Sequence, residues 1–299
     1  MKLAVLVTAA ATFWWAALSV TSRALLLEFS LDPWMFTFIQ LCAGGAVLLS
    51  IGGRRTASIE SFKSPYTWIL GVLRVISAAL YTSILAYVSV LETGTIGSLS
   101  VPLIAIFAWI LGGNRFSTLE WVGHILIMGG IAVIIWQLDD DIRQPTTFLM
   151  LLNAASVVAM NLLAEKHPDN NSSHMGVRLR FTGSVLLVTA GIFLGLKLLQ
   201  GELTGQDWNL DILISGVIVG IIFRAPSMLF AFWSIKLIGA LKYTVAVSAL
   251  PFVGFAIEQA VIQLGFLEPS GTRLETVILA ALVLGGTFVV LAARRHQKN

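Results

Sequence analysis

The sequence predicts an all-α integral membrane protein with ten transmembrane helices, arranged as two inverted repeats of five helices. Three observations predict this fold class: the composition, ten apolar segments of membrane-spanning length, and positive charge concentrated at one set of helix ends. Of the 299 residues, 57% are hydrophobic and only 12% are charged. A soluble domain carries about 25% charged residues, so the composition excludes an ordinary soluble fold.

Ten segments are long and apolar enough to cross the hydrocarbon core, which takes about 20 residues of helix. They cover residues 3–27, 34–51, 66–90, 94–112, 118–137, 146–164, 177–199, 211–235, 240–264 and 274–293. The connections are too short to fold as a separate domain. The first apolar run is longer than the core of a signal peptide, which has about 7–15 residues, and we interpret it as the first membrane helix.

The basic residues set the orientation of the helices. Of the 19 Lys and Arg residues, 13 lie at one side of the predicted helices, 4 at the other side and 2 inside the spans. Lys and Arg accumulate in short cytoplasmic loops, so this asymmetry places both termini in the cytoplasm. We expect a multi-pass protein of the cell membrane, meaning the cytoplasmic or inner membrane. The basic residues form no continuous stripe, which argues against nucleic acid as a partner.

The two halves of the chain share a pattern. One stripe of the fourth helix recurs in the ninth at an offset of 149 residues: Thr95, Leu99, Pro102, Ile106 and Trp109 correspond to Thr244, Ser248, Pro251, Phe255 and Glu258. An Arg-x-x-Ser pattern likewise occurs at Arg74 and Ser77 in the third helix and at Arg224 and Ser227 in the eighth. We therefore divide the chain into repeats at residues 1–138 and 143–299. Because each repeat has five helices, the second enters from the opposite side of the membrane, as in transporters that work by alternating access.

Three features carry a family resemblance: Thr12-Phe13-Trp14-Trp15-Ala16-Ala17-Leu18-Ser19 in the first helix, the prolines Pro102 and Pro251, and Gly123 with Gly129-Gly130 in the fifth helix. Through them the chain resembles the EamA-type members of the drug/metabolite transporter superfamily. The resemblance implies two five-helix repeats around a central cavity lined by the first, third, fourth, sixth, eighth and ninth helices.

The chain also departs from the family pattern. Asn114-Arg115 stands where the family often has Glu-Arg, and Gln40 stands where it often has an arginine, for which Arg180 is the candidate in the second repeat. These departures leave the substrate open.

Three ionisable residues lie well inside predicted spans: Arg74, Arg224 and Glu258. Each costs about 2.5–3.5 kcal/mol at the centre of a membrane helix, so we expect them to face one another, an aqueous cavity or backbone carbonyls. One interpretation is a structural ion pair between Arg224 and Glu258. The other is a substrate site, in which the additional positive charge meets an anion, since arginine binds carboxylate or phosphate with a planar fork.

Further candidates for substrate binding share faces with these residues or lie on the helices that line the implied cavity. They are Ser77, Tyr81, Ser227, Trp15, Asn161, Trp109 and Ser248. Packing or interhelical hydrogen bonding is an equal alternative for Trp15 and Asn161. Pro102, Pro226 and Pro251 lie inside helices, where proline removes a backbone hydrogen bond. They are candidate hinges, with a purely structural kink as the alternative, and Pro226 is expected to free the carbonyl of Ile222.

The sequence contains no phosphate-binding loop and no nucleophile elbow, so we predict no catalytic residues, no cofactor and no enzyme activity. The single cysteine and the four histidines have no metal-ligand spacing. The leading hypothesis is a secondary transporter, exporter or exchanger, of a small polar, anionic or zwitterionic metabolite, most simply an amino acid. A nucleoside-derived or other organic anion is an alternative substrate, and an intramembrane enzyme or a structural membrane protein is an alternative class. The sequence does not define the oligomeric state.

Overall fold

The computed structural model describes residues 2–53, 61–85, 88–112, 116–200, 208–268 and 273–296. Ten long helices account for most of these residues, and no strand occurs among them. Seven are continuous: α1 (Lys2–Glu28), α2 (Pro33–Gly52), α3 (Pro65–Leu85), α5 (Thr118–Trp136), α6 (Asp140–Lys166), α7 (Met175–Gln200) and α10 (Leu274–His296). Three are interrupted: α4 (Val90–Gly97 and Ser100–Gly112), α8 (Leu210–Val219, Gly220–Arg224 and Ala225–Ile238) and α9 (Ala240–Val247 and Leu250–Gln263).

The prediction of an all-α membrane protein is confirmed. Within the described ranges, nine of the helices are long and apolar enough to cross a membrane, and α3 contains a shorter apolar stretch, Pro65–Tyr81. Helix α6 contains the sixth predicted span but begins at Asp140, six residues before it. Hydropathy does not detect this polar first turn, in which Asp140 forms an ion pair with Arg143 at 2.7 Å. Acidic side chains at a helix N-terminus also interact favourably with the helix dipole.

Helices α4 and α9 are both broken just before a proline. The first part of α4 ends at Gly97 and the second begins at Ser100, two residues before Pro102. In α9 the break lies between Val247 and Leu250, and Pro251 follows directly. Proline has no N–H to donate to the preceding turn; the carbonyl of Ser98, four residues before Pro102, accepts from Val101 N at 2.9 Å instead.

Helix α8 contains a π-helical turn over Gly220–Arg224. In this wider turn, the N–H of Ala225 donates to the carbonyl of Gly220, five residues earlier. The sequence predicted a kink at Pro226 in an otherwise regular helix, whereas the structure widens the turn that directly precedes the proline. Such π-helical turns are rare and occur frequently at functional sites, and this one ends at Arg224.

The described helices form two compact units. Unit 1 contains residues 1–75 and 162–237, and unit 2 contains residues 76–161 and 238–299. Each unit therefore draws helices from both halves of the sequence, and the repeats at 1–138 and 143–299 stay a prediction.

Each unit contains helices that pack against each other through glycines. A Cβ atom on Gly183 of α7 would lie 2.9 Å from the carbonyl oxygen of Gly45 in α2, and one on Gly286 of α10 would lie 2.8 Å from that of Gly123 in α5. Small residues allow such close approach of membrane helices.

A buried histidine connects the α6–α7 segment to the start of α3 in unit 1. The ring of His167 is stacked on Phe181, with centroids 4.3 Å apart. Its Nδ1 accepts from the N–H of Asp169 at 3.2 Å, and its Nε2 lies 3.3 Å from Thr67 Oγ1 and 3.4 Å from Ser64 Oγ. Because Nδ1 is an acceptor, this arrangement requires a neutral imidazole with its proton on Nε2.

We expect the stability of the protein to fall below about pH 6.5 because the histidine at position 167 takes up a proton there more readily in the unfolded chain than in the folded protein. Burial lowers the pKa of His167 below its usual value, and the carboxylate of Asp169 only partly opposes this. A lowered folded-state pKa means that the unfolded chain binds the proton more tightly, so stability is complete above the ordinary histidine pKa and is lost as pH falls. One such proton contributes at most about 1.4 kcal/mol per pH unit.

The measurement is thermal unfolding of the purified protein at pH 7.5 and 5.5, with these values chosen to lie about one unit on either side of the ordinary histidine pKa. The His167→Asn variant should lose less stability between the two pH values than the wild type. His174→Asn changes an exposed histidine of the same segment and should keep the wild-type dependence. Identical pH dependences for the wild type and His167→Asn would contradict the assignment.

Candidate functional site

Two buried arginines of unit 1 lie over the same tryptophan. The guanidinium carbon of Arg74, from α3, is 4.5 Å from the centroid of the Trp15 ring in α1, and that of Arg224, from α8, is 5.9 Å from it. Arg74 is 6% and Arg224 is 9% exposed. A cation over an indole face is attracted by the ring quadrupole, more strongly when water is excluded. The ring of Trp15 therefore interacts with two positive charges that are 150 positions apart in the sequence.

The two guanidinium groups are close enough to repel each other. Their carbons are at most about 10 Å apart, the sum of their distances from the shared ring centroid. Two like charges at about 10 Å repel by roughly 1.7 kcal/mol at an effective dielectric constant of about 20. An anion that reaches this region would relieve the repulsion as well as pair with a cation.

A neutral side chain, Gln40 of α2, is the hydrogen-bond partner of Arg224. Arg224 Nη2 donates to Gln40 Oε1 at 2.9 Å, and Gln40 Nε2 donates to Ser22 Oγ of α1 at 3.4 Å. The Nε of Arg224 makes no hydrogen bond among the described residues. No carboxylate in the described part of the chain forms an ion pair with Arg224. The ion pair between Arg224 and Glu258 stays a prediction.

Close packing of the backbone fixes the position of Gln40 relative to α8. A Cβ atom on Gly220, the first residue of the π-helical turn, would lie 2.6 Å from the carbonyl oxygen of Gln40 and 2.9 Å from its Cα. Gly44, one helical turn further along α2, makes a similar approach to the carbonyl oxygen of Gly220. Only residues without a side chain permit this contact, which brings Gln40 to Arg224.

Three further predicted polar residues, Ser77, Asn161 and Glu258, are buried in unit 2, and two of them bond across helices. Ser77 Oγ of α3 donates to Asn153 Oδ1 of α6 at 2.8 Å, and Asn161 Nδ2 of α6 donates to Thr244 Oγ1 of α9 at 3.0 Å. Asn161 therefore makes an interhelical hydrogen bond, which the sequence analysis gave as the alternative to substrate binding. Glu258 of α9 is 1% exposed, and Tyr81 lies in α3.

Three predicted residues have local or peripheral positions. Ser227 Oγ donates to the carbonyl of Arg224 in its own helix, and Ser248 Oγ donates to that of Val245. Trp109 is half exposed and lies 6.3 Å from the ring of Phe116. The hydroxyl protons of both serines are therefore used locally, which leaves only their oxygen lone pairs for a ligand.

Sequence reasoning missed Gln40 as a site residue, together with its neighbour Ser22. One signal was present for each: Ser22 lies seven residues after Trp15, on the same face of α1, and Gln40 is a polar residue inside an apolar span. Neither side chain carries a charge. The free-energy cost of burying it in a membrane is therefore too small to mark it as a site residue in the sequence. No group of three or more His, Cys, Asp or Glu side chains in the described ranges could hold a metal ion.

Part of the chain matches a known protein family. Residues 2–136 match the model of the EamA-like transporter family. Twenty-eight chains of solved structures match as well. One of them, a crystal structure described only as that of a protein, is 20% identical and superposes with a TM-score of 0.68 over 98% of this chain and 99% of that chain. At this identity, the likeness shows the fold alone. No curated protein matches the chain.

The fold is that of a multi-pass membrane protein, and its first 136 residues are similar to EamA-like transporters. The match covers the first predicted repeat and agrees with the resemblance to EamA-type transporters drawn from the sequence.

Proposed function

We propose that the protein is a secondary transporter of a small anionic or zwitterionic metabolite, with an amino acid as the leading candidate. The observation that carries the proposal is the environment of Arg224. This arginine is buried, lies over Trp15 and is hydrogen-bonded to a neutral amide rather than to a carboxylate. A buried cation is stabilised fully only when an opposite charge or several acceptors reach it, and a substrate carboxylate supplies both.

The chemistry of the guanidinium group supports a planar anion. Gln40 occupies Nη2 of Arg224, whereas Nε is without a hydrogen bond in the described part of the chain. A carboxylate can accept from Nε–H and a neighbouring Nη–H together, which gives the short and strong bidentate geometry. Phosphate and sulfonate fit the same fork, so nucleoside-derived and other organic anions are the second group of candidate substrates. Because Glu258 carries a negative charge, it is the candidate to bind the ammonium group of a zwitterionic substrate.

The transport cycle that we propose is alternating access by two inverted repeats, residues 1–138 and 143–299. The offset of 149 residues between the stripes of α4 and α9 supports the repeat. The breaks before Pro102 and Pro251, and the π-helical turn before Pro226, support local flexing at these three positions. Ser77, Tyr81, Asn161, Trp109, Ser227 and Ser248 remain proposed contacts along the path. We place the protein in the cytoplasmic membrane with both termini inside, on the distribution of Lys and Arg.

The proposal is tested by counterflow in liposomes that contain the purified protein. Candidate metabolites are first screened for the increase that they cause in the thermal unfolding temperature, and the best are loaded inside the vesicles. Labelled substrate outside should then accumulate transiently and with saturation. A screen of amino acids, organic acids and nucleotides in which no compound raises the unfolding temperature or supports counterflow would contradict an anion transporter.

We expect Gln40→Glu to reduce counterflow at least about tenfold. The new carboxylate would replace the amide oxygen that lies 2.9 Å from Arg224 Nη2, and a charge-assisted hydrogen bond is roughly twice as strong as a neutral one. Arg224 would then carry its own counter-ion and compete with the substrate. The matched control is Gln263→Glu, which makes the same change at an exposed position near the end of α9. Equal rates for both variants would show that Arg224 does not bind the substrate.

A further inference from the structure

A second cluster of cations lies in unit 1 where α7 begins and α8 ends, away from Trp15 along the chain. Arg178 Nη2 of α7 donates to the carbonyl oxygen of Ser172 at 2.9 Å, and Lys236 Nζ of α8 donates to the same oxygen. The guanidinium carbon of Arg178 lies 5.4 Å from the ring centroid of Trp233. Two positive charges and one indole therefore meet at a single neutral carbonyl.

The charges of this cluster are not balanced by carboxylates. Neither Arg178 nor Lys236 forms an ion pair with any residue that the structure describes. Arg178 is only 3% exposed, and its Nε has no hydrogen-bond partner among the described residues. Two other basic residues near helix ends do have carboxylate partners: Arg294 lies 2.5 Å from a carboxylate oxygen of Glu120, and Lys197 lies 3.8 Å from one of Asp32. A neutral carbonyl cannot neutralise two cations, so the cluster is suited to an anion.

The position of the cluster indicates where that anion comes from. Arg178 lies three residues after the start of α7, and Lys236 lies two residues before the end of α8. Both are therefore near the membrane surface, on the side that the distribution of Lys and Arg predicts to be cytoplasmic. Residues 173–175, next to the shared carbonyl, are exposed. Basic pockets between membrane helices on this side are suited to lipid phosphates.

We infer that Arg178 and Lys236 bind the phosphate group of an anionic phospholipid, with Trp233 beside it. The phosphate would replace the carbonyl of Ser172 as the shared acceptor, because an anion binds two cations more strongly than a neutral oxygen does. Lipid binding would in this way release residues 172–174, which connect α6 to α7. This site is separate from the proposed transport site at Arg224, and the two can be tested independently.

The test measures lipid retention by native mass spectrometry of the purified protein in mixed micelles of phosphatidylglycerol and phosphatidylcholine. The wild type should retain phosphatidylglycerol preferentially. The Arg178→Gln and Lys236→Gln variants should each retain it about fivefold less, since one basic residue near the surface contributes about 1 kcal/mol. Lys242→Gln, which removes an exposed lysine at the start of α9, is the matched control and should retain the lipid as the wild type does.

Further arms separate the possible outcomes. Arg178→Lys keeps the charge and should keep most of the preference, and Lys236→Gln changes a half-buried side chain, so at least one informative variant should remain folded. Inorganic phosphate alone, at constant ionic strength, should raise the unfolding temperature less than phosphatidylglycerol does. An equal increase would assign the site to free phosphate and overturn the lipid. Equal retention of the two lipids by the wild type, or unchanged retention by both glutamine variants, would overturn the site itself.

Discussion

Replacement of Arg224 by glutamine is expected to lower the rate of counterflow by on the order of 100-fold. The substitution removes the guanidinium group that lies over Trp15 and donates to Gln40. Loss of one partner from a buried charge pair costs about 2–5 kcal/mol, and about 1.4 kcal/mol corresponds to a tenfold change. Glutamine keeps a polar side chain of moderate length. The decrease in the counterflow rate therefore measures mainly the contribution of the positive charge and of the planar guanidinium group.

Two further variants make this result specific. Arg224→Lys keeps the charge but has no fork for bidentate binding, so we expect a reduction of about tenfold, between the wild type and Arg224→Gln. Arg273→Gln makes the same change at an exposed arginine just before α10 and should not alter counterflow. Each variant must unfold near the wild-type temperature before its rate is interpreted. Counterflow by folded Arg224→Gln within twofold of the wild type would remove Arg224 from the transport site.

Substitution of Gly220 by alanine is expected to lower both stability and transport. The added Cβ would lie 2.6 Å from the carbonyl oxygen of Gln40 and 2.9 Å from its Cα, both backbone atoms that cannot rotate away. Overpacking of this kind costs about 1–3 kcal/mol. Helix α2 would have to move, and Gln40 would move with it away from Arg224. We therefore expect a lower unfolding temperature together with a loss of counterflow that exceeds the loss of folded protein.

The matched control is Gly191→Ala in α7 of the same unit. A Cβ at Gly191 would meet no atom of the described residues within 4 Å, so this variant should keep both the wild-type unfolding temperature and the wild-type rate. The comparison separates steric contact from the general effect of replacing a glycine in a membrane helix. If Gly220→Ala and Gly191→Ala behave alike, the close approach of α2 and α8 does not position the site.

Most of the fold could be predicted because membrane helices follow local rules of hydropathy and length. The rule does not detect a polar extension of a helix, as at Asp140, since polar helical turns carry no apolar signal. It also fails at Gly220–Arg224, because a π-helical turn has no distinct composition and depends on the packing of α2 against α8.

The charged candidates were found by a physical argument that needs no structure. Burial of Arg74 and Arg224 in a membrane is costly, so each required a partner. The partner itself could not be predicted, because Gln40 and Arg224 are 184 positions apart and meet only through tertiary packing. A neutral amide also gives a weak signal in a sequence, although it determines which atoms of the guanidinium group remain for a substrate.

The π-helical turn has a geometric consequence for the whole of α8. A regular helix advances by about 100° for each residue, since about 3.6 residues complete one turn. A π-helical turn contains one residue more than the corresponding α-helical turn. It therefore determines the direction in which the side chains of all later residues of the helix point. Without it, Trp233, Ser234 and Lys236 would point about 100° away from their present neighbours, among them Thr8, which bonds to Ser234 at 2.6 Å. The π-helical turn beside Arg224 therefore determines which neighbours the side chains at the end of α8 contact, more than two helical turns later.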